Sequence, residues 1–313
     1  AIALAAPVDK RSFTYHRDLA RAQFAIARGN EPGAVAILAN LFAACREARF
    51  YGFMRQAPAD VARLVALALA HGVEPEYART LARLRTLPAP SPDLAEWPWP
   101  LAIRTFGAFE LKRHGDPVVS RGKAQKKPLE LLKALIAHGA KRVDAAMLTS
   151  LLWPEAEGDD AKTSFDSTLY RLRKLVDVEG AIALSEGKLS LDPANVWVDA
   201  LALEALLDAE PVPVERALAL AHGDFLADEA ALPWAVRTRD RLKSRLIRAV
   251  LAEAEQRESR GDYAAARPLY EAALERDNLA EAVYRRLMVC QRELGDAAGS
   301  TVDRSGAADA RSG

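Results

Sequence analysis

The sequence has little cysteine and no excess of charge of either sign. Its two cysteines, Cys45 and Cys290, are too few and too far apart for a disulfide framework or a zinc cluster of the usual spacing, which favours a reducing cytoplasm. No apolar run approaches the roughly 18 to 20 residues of a membrane span, so we expect no membrane partner. Because 43 Lys and Arg balance 43 Asp and Glu, any nucleic-acid surface must be a local patch.

Signatures of catalysis and cofactor binding are also missing. The five histidines are scattered without metal-ligand spacing, and no G-x-S-x-G nucleophile motif occurs. No G-x-x-x-x-G-K-S/T phosphate-binding loop is present either. Acidic pairs such as Asp159-Asp160 are typical of turns and helix caps. We therefore expect no enzyme, no cofactor and no metal site.

The length and the ends of the chain bear on its organisation. With 313 residues and 50% hydrophobic content, the chain can bury two or three cores, which predicts several domains. It begins without methionine, which suggests a piece of a longer protein, with a processed terminus as the alternative.

The first hundred residues divide into a helical part and a linker. Apolar residues recur at three and four spacing from residue 13 to residue 87, which predicts helices, and we take 1–87 as one helical domain. Five prolines between residues 88 and 100 exclude a helix interior and predict a stiff linker. Trp97 and Trp99 in this linker favour packing against a neighbouring domain over a recognition role.

The pattern changes in residues 101–198. Alternating residues around Gly107 predict short antiparallel strands, three helical segments follow, and "AIALSEGKLSL" has the composition of a hairpin. These are the parts of a winged helix-turn-helix.

The remainder predicts helical repeats and a tail. Gly261-Asp262 recurs as Gly295-Asp296 at a spacing of 34 residues, which is the tetratricopeptide period, and residues 28–42 contain a similar phrase. We therefore expect tetratricopeptide-like helices over 199–296 as well as at the N-terminus. Residues 297–313 are small, polar and aperiodic, so we expect disorder there.

The helix of residues 161–176 is the candidate for contact with DNA. At 100° per residue, Phe165, Leu169, Leu172 and Val176 form one apolar stripe. Opposite or beside this stripe lie polar and basic residues that suit base edges and phosphates. They are Lys162, Thr163, Ser167, Tyr170, Arg171 and Lys174. An ordinary solvated surface helix is the alternative that composition alone leaves open.

Two further basic features accompany this helix. Lys188 at the predicted hairpin is placed to reach a minor groove or a phosphate, although Glu186 opposes the approach. The segment "RGKAQKK" contains Lys123, Lys126 and Lys127, which form either a solvated loop or a surface for phosphate or RNA polymerase.

The segments "WPLAIRTFGAFELKRHGDPV", "GKAQKKPLELLKALIAHGA" and "LLWPEAEGDDAKTSFDSTLYRLRKLV" resemble the OmpR-type winged helix of the Streptomyces antibiotic regulatory protein family. The segment that follows, from "ALALAHGDFLADEA" to "EAVYRRLM", resembles the bacterial transcriptional activator domain of that family. Residues 1–87 resemble the end of the tetratricopeptide array in MalT-like regulators.

The resemblance implies a mainly α fold with a small β component, in which a winged helix is flanked by tetratricopeptide-like domains. It implies an activator that binds direct repeats in promoter DNA, recruits RNA polymerase and contacts proteins through its helical repeats. It places groove contacts on Thr163, Ser167, Thr168, Tyr170 and Arg171, and phosphate contacts on Arg173 and Lys174. The sequence departs from the family pattern at Thr163, Ser167 and Tyr170, which bears on site preference. A scaffold whose winged helix docks proteins is the alternative function.

Overall fold

The computed structural model describes the backbone of residues 10–118, 125–156, 158–229, 232–277 and 281–309, and within these ranges the side chains from residue 13 to residue 295. The described part contains twelve α-helices and seven short β-strands. The prediction of a mainly α chain with a small β component is confirmed.

Four helices occupy the N-terminal part, where the sequence predicts helices. They are Lys10–Ala27 (α1), Glu31–Glu47 (α2), Pro58–Ala70 (α3) and Pro75–Leu84 (α4). Asn30 starts α2, because its side-chain oxygen accepts a hydrogen bond from the Gly33 N–H at 3.0 Å. The apolar faces of the four helices share one core, in which Leu38, Phe42 and Leu81 are fully buried.

The proline-rich segment after α4 is folded onto its surroundings. Trp97 and Trp99 are 7% and 8% exposed. The Trp99 Nε1–H donates to the Leu94 carbonyl oxygen at 2.8 Å, and the Trp197 Nε1–H donates to the Pro92 carbonyl oxygen at 2.7 Å. Both linker tryptophans are therefore buried, and their packing against a neighbouring domain stays a prediction.

A four-stranded sheet follows the linker, as the alternating pattern predicts. Its strands are Leu101–Arg104 (β1), Glu110–Arg113 (β2), Asp116–Pro117 (β3) and Val196–Val198 (β7), in the order β3-β2-β1-β7. Strands β2 and β3 are antiparallel, with Lys112 opposite Pro117 and Arg113 opposite Asp116. The late strand β7 completes this sheet beside β1.

Three helices and a hairpin lie between β3 and β7 in the chain. They are Lys126–Ala137 (α5), Ala145–Leu152 (α6) and Gly158–Val176 (α7), then Ile182–Ser185 (β5) and Lys188–Leu191 (β6), with the two-residue strand Val143–Asp144 (β4) before α6. Strands β5 and β6 are antiparallel, with Ile182 opposite Leu191. Glu186 and Gly187 connect them with φ of 51° and 70°. The favoured two-residue hairpin turn has positive φ at both residues, because its backbone twist then matches the twist of the two strands. Glu186 and Gly187 meet this requirement.

Helices form the rest of the described chain. They are Asp199–Leu207 (α8), Val214–Leu220 (α9), Pro233–Ser259 (α10), Tyr263–Arg276 (α11) and Glu281–Asp309 (α12), with a 3₁₀ turn at Ala227–Glu229. Helix α11 packs against both α10 and α12. The Asp262 side chain starts α11 by accepting a hydrogen bond from the Ala265 N–H at 3.1 Å. Tyr270, Ala266 and Leu269 are buried on α11.

The C-terminal segment differs from the disorder expected for residues 297–313. The backbone of 297–309 continues α12, and residues 310–313 lie outside the described part. Residues 297–309 include four alanines, which favour a helix, and two glycines, which disfavour it, so this part continues a helix that begins at Glu281 rather than nucleating one of its own.

The chain divides into two compact units whose limits differ from the predicted domain boundaries. The first comprises Ala1–Ile103, Leu111–Pro128 and Lys162–Trp197, and the second comprises Arg104–Glu110, Leu129–Ala161 and Val198–Gly313. Residues 104–110 and most of α5 and α6 thus group with the C-terminal helices. The domains of residues 88–100, 101–198 and 199–296 remain a proposal from the sequence.

Hydrogen bonds within the second unit explain part of this grouping. The buried Asp199 carboxylate accepts from the Thr105 N–H at 2.7 Å, the Thr105 hydroxyl at 2.6 Å and the Phe106 N–H at 3.0 Å. The Thr238 hydroxyl of α10 donates to the carbonyl oxygen of Ala137, the last residue of α5, at 2.8 Å. Among the described residues, none of the helices combines the length and the apolar character needed to cross a bilayer.

Candidate nucleic-acid interface

Helix α7 has the apolar stripe that the sequence predicts. Phe165, Leu169, Leu172 and Val176 are each at most 3% exposed. Acidic residues in the first turn and basic residues in the last turn complement the partial charges of the helix ends, which favours the helix in this segment. The stripe fixes which side of α7 faces outward.

The outward side of α7 carries polar and basic side chains. Lys162, Thr163, Ser167 and Lys174 are exposed, and Tyr170 retains 68% of its accessible surface. These candidate residues are therefore accessible to solvent.

Arg171 is exposed and lies folded back along the helix. Its Nε–H donates to the Ser167 carbonyl oxygen at 3.2 Å, and its Nη2 donates to the Ser167 hydroxyl at 3.2 Å. The Ser167 hydroxyl in turn donates to the Ser164 carbonyl oxygen at 3.1 Å. Both contacts are exposed and long, so the guanidinium can leave them at little cost for a base edge or a phosphate.

The burial of Thr168 corrects its predicted role as a contact in the DNA groove. Its side chain is 3% exposed, which withdraws it from any groove. It lies about 40° from Leu172 around the helix axis, so the buried face extends past the predicted stripe on that side. Ala161, at 9% exposure, lies on the same side.

Arg173 is exposed but anchored to the hairpin. Its Nε–H donates to the Ile182 carbonyl oxygen at the start of β5, at 3.2 Å. This contact holds the end of α7 to the hairpin and leaves the remaining guanidinium N–H groups for a phosphate. Lys188, the predicted wing residue, is half-buried and pairs across the turn with Ser185.

Negative charge on α7 is a feature that the sequence reasoning did not weigh. Asp159, Asp160 and Asp166 are exposed in the first half of the helix, whereas Arg171, Arg173 and Lys174 lie in the last two turns. Phosphates are repelled by carboxylates and attracted by Lys and Arg. The last two turns are thus the part of α7 that is electrostatically suited to a DNA backbone.

The second basic feature is only partly described. Lys126 is exposed and Lys127 is half-buried in the first turn of α5. Lys123 lies outside the described residues.

Metal binding and reactive cysteines are two other kinds of chemistry that the described residues can be searched for. No group of three His, Cys, Asp or Glu side chains is arranged to hold a metal ion in that part of the chain. Cys45 and Cys290 are free and buried. Burial raises the pKa of the Cys45 thiol to about 12, so this thiol stays protonated and unreactive at neutral pH.

Comparison with protein families identifies the kind of domain in the C-terminal part of the chain. Residues 198–300 match the family model of the bacterial transcriptional activator domain. The match begins at the last residue of β7 and extends into α12, so it covers the helices α8 to α11. This part of the chain is therefore of the kind found in transcriptional regulators.

One solved structure is similar to the chain as well. It is Mycobacterium tuberculosis EmbR in complex with a low-affinity phosphopeptide, at 21% identity and a TM-score of 0.48. The similarity covers 64% of this chain and 57% of the EmbR chain. No curated protein matches the sequence at a significant level.

Proposed function

We propose that this chain is a DNA-binding regulator of transcription, and an activator, in which α7 enters the major groove. The observation that carries the proposal is the outward side of α7, where Tyr170, Arg171 and Lys174 are exposed opposite a fully buried stripe. The major groove is wide enough for one helix, and Arg and Lys are the side chains that most often read guanine and hold phosphates.

Chain order supports this function. Helix α7 follows two helices, precedes the β5-β6 hairpin, and lies upstream of the segment that matches the bacterial transcriptional activator domain. The order is that of an OmpR-type winged helix followed by an activation module. In this reading, Arg171, Ser167 and Thr163 contact bases, and Arg173 and Lys174 contact phosphates. Lys162 and Tyr170 border the same groove.

The hairpin and the start of α5 complete the proposed interface. Lys188 approaches the neighbouring minor groove or backbone, and Lys126 with Lys127 contacts phosphate or RNA polymerase. The helices of residues 1–87 and 199–296 serve as tetratricopeptide-like surfaces for protein partners, as at the end of a MalT-like array. The DNA that the chain binds in this proposal is promoter DNA with direct repeats, and the protein acts in the cytoplasm.

The test is a binding-site selection with the full chain on random duplex DNA, followed by titration of the selected duplex at several salt concentrations. We expect an enriched motif and an affinity that falls steeply with salt. The double variant R171A/K174A should weaken binding at least about tenfold and reduce the log-log salt slope by about 0.9 for each lost phosphate contact.

The matched control is R237A/R248A, which removes two exposed arginines of α10 and the same total charge. This control should leave the affinity within about twofold, because neither arginine belongs to the proposed interface on α7, the hairpin or the start of α5. Equal losses in both double variants would mean that α7 makes no specific contact.

A protein-docking scaffold is the second candidate function, favoured by the three exposed carboxylates on the first half of α7. Selection that enriches no motif, together with retained binding of proteins by R171A/K174A, would favour the scaffold.

A further inference from the structure

The second unit contains a cleft that the proposed DNA-binding function does not use. It has a volume of about 350 Å³ and is lined by α8, α10, α11, the loop 221–225 and Phe106. This volume lies within the range of small-molecule sites in proteins, which starts at about 300 Å³. The large apolar side chains at the cleft are packed away from it, since Phe106, Leu242 and Leu246 are only 3%, 2% and 2% exposed. Charged side chains are therefore the groups through which the cleft can bind a ligand.

Five charged side chains of both signs line the cleft. They are the cations Arg239, Lys243 and Arg276 and the carboxylates Asp224 and Glu275. The cations are half-buried and the carboxylates are exposed. Among the described residues, none of the five forms an ion pair within 4.0 Å. Positive and negative charges thus stand in one cleft without pairing, whatever the protonation state of His222.

Hydrogen bonds to the backbone hold the two arginines away from the carboxylates. Arg239 donates to the Phe225 and Leu226 carbonyl oxygens at 2.8 and 2.7 Å. Arg276 donates to the Ala221 carbonyl oxygen at 2.9 Å and to a carbonyl oxygen of its own helix at 3.0 Å. Carbonyl oxygens orient a guanidinium without cancelling its charge, and each guanidinium has five N–H donors, so donors remain for a ligand. Both arginines therefore present a positive charge in a fixed position.

The other three charged side chains are less constrained. Lys243 lies one turn after Arg239 on α10, Glu275 lies in the last turn of α11, and Asp224 belongs to the loop. Since the fixed arginines keep the two signs apart, a ligand can satisfy both signs only if it carries both charges itself. A carboxylate of the ligand would accept from the cations, and an ammonium group would donate to the carboxylates.

From these features we propose that the cleft binds a small polar zwitterion of the size of an amino acid or a dipeptide. Its carboxylate lies among the three cations, and its ammonium group contacts Glu275 and Asp224. A ligand with only one charged group would leave one of the two sets unpaired. This binding is independent of the proposed contact between α7 and DNA.

The position of the cleft gives such a ligand a structural effect. Phe106 and Phe225 form an isolated antiparallel bridge, with the Gly107 N–H donating to the Asp224 carbonyl oxygen at 3.0 Å. Gly223 makes this approach possible, because a Cβ atom there would lie 3.0 Å from the Gly107 nitrogen. A ligand that binds the loop together with α10 and α11 stabilises this junction and raises the unfolding temperature.

Glycylglycine and two analogues are suitable probes. N-acetylglycine lacks only the ammonium group, glycine N-methylamide lacks only the carboxylate, and all three share one peptide group. We expect calorimetric titration of the full chain at about pH 7, where the α-amino group is mostly charged, to give a Kd of about 1 mM or tighter for glycylglycine. Each analogue should bind at least about tenfold more weakly, because each lacks one charge-assisted set of hydrogen bonds.

Variants at the cleft identify the site. K243Q should weaken glycylglycine binding about tenfold, and K243R should restore most of the affinity because it keeps the charge. D224N/E275Q should also weaken it about tenfold. The matched controls R248Q and D228N/E271Q make the same charge changes at exposed positions outside the cleft and should leave the affinity within about twofold. Unfolding temperatures without ligand show whether each variant is folded.

The dependence on the ligand separates direct contact from a structural role. K243Q should lower the affinity for glycylglycine more than that for glycine N-methylamide, because only glycylglycine has a carboxylate. D224N/E275Q should lower the affinity for glycylglycine more than that for N-acetylglycine, because only glycylglycine has an ammonium group. A distorted cleft would instead weaken all three ligands alike.

Three results would overturn the proposal. The first is the absence of glycylglycine binding at about 10 mM, which is far weaker than a specific site gives. The second is equal affinity for glycylglycine and either analogue. The third is a loss of affinity in the control variants equal to that in the cleft variants. DNA binding is measured separately, so its failure would not affect this test.

Discussion

Replacing Asp199 by alanine should destabilise the second unit more than any exposed substitution in α8. Asp199 is 1% exposed, and its carboxylate accepts hydrogen bonds from two groups of Thr105, from the Phe106 N–H and from the Ala200 N–H. Thr105 is fully buried and Phe106 is 3% exposed, so water cannot readily replace the lost acceptor. The variant therefore leaves several buried donors without partners.

The expected magnitude follows from those donors. Each unsatisfied buried donor costs about 1–3 kcal/mol, although rearrangement makes such costs less than additive. We expect D199A to lower the free energy of unfolding by about 3–5 kcal/mol, comparable with breaking a buried charged pair. D199N keeps one acceptor oxygen and should lose about 1–3 kcal/mol.

Urea unfolding combined with amide hydrogen exchange is the appropriate assay. The first gives the change in stability, and the second should show faster exchange at the Thr105 and Phe106 amides in both variants. D208A is the control, because the Asp208 side chain is 69% exposed in its ion pair with Arg245. Its loss should cost less than about 1 kcal/mol. A loss below about 1 kcal/mol in D199A, or unchanged exchange at both amides, would refute the reasoning.

Two further predictions concern α7 and the hairpin that follows it. T168V should leave DNA affinity within about twofold, whereas Y170A should lower it, because the Thr168 side chain is buried and Tyr170 is 68% exposed. Anisotropy titration of the selected duplex measures both affinities. A loss of affinity in T168V but not in Y170A would contradict this prediction. G187V should lower the stability of the β5-β6 hairpin by about 1–3 kcal/mol, because φ at this position is 70°, whereas E186G should raise it by up to about 1 kcal/mol. Thermal unfolding would show these opposite shifts, and shifts of the same sign would contradict the turn geometry.

The residues of α7 show how much of the candidate site can be predicted from the sequence. The stripe of Phe165, Leu169, Leu172 and Val176 was correct because helical periodicity is a local property, fixed by 100° per residue. Thr168 was assigned wrongly because the width of a buried face depends on what packs against it. The contact of Arg173 with Ile182 was missed for a similar reason, since the approach of the hairpin to α7 is not contained in the helix itself.

The sequence by itself determined most of the helices of the chain, the turn at Glu186-Gly187, the proline-rich segment of residues 88–100 and the repeat of glycine and aspartate 34 residues apart. These features depend on side-chain periodicity, turn-forming residues and caps, all of which act over a few residues.

Only the tertiary structure decided that Asp199 binds residues 105 and 106, that 104–110 and 129–161 group with the C-terminal helices, and that Arg239, Lys243 and Arg276 line one cleft. Each of these features joins residues that are distant in the chain. Their proximity is set by how helices and strands bury their apolar surfaces against one another, which the sequence pattern of a single element does not contain.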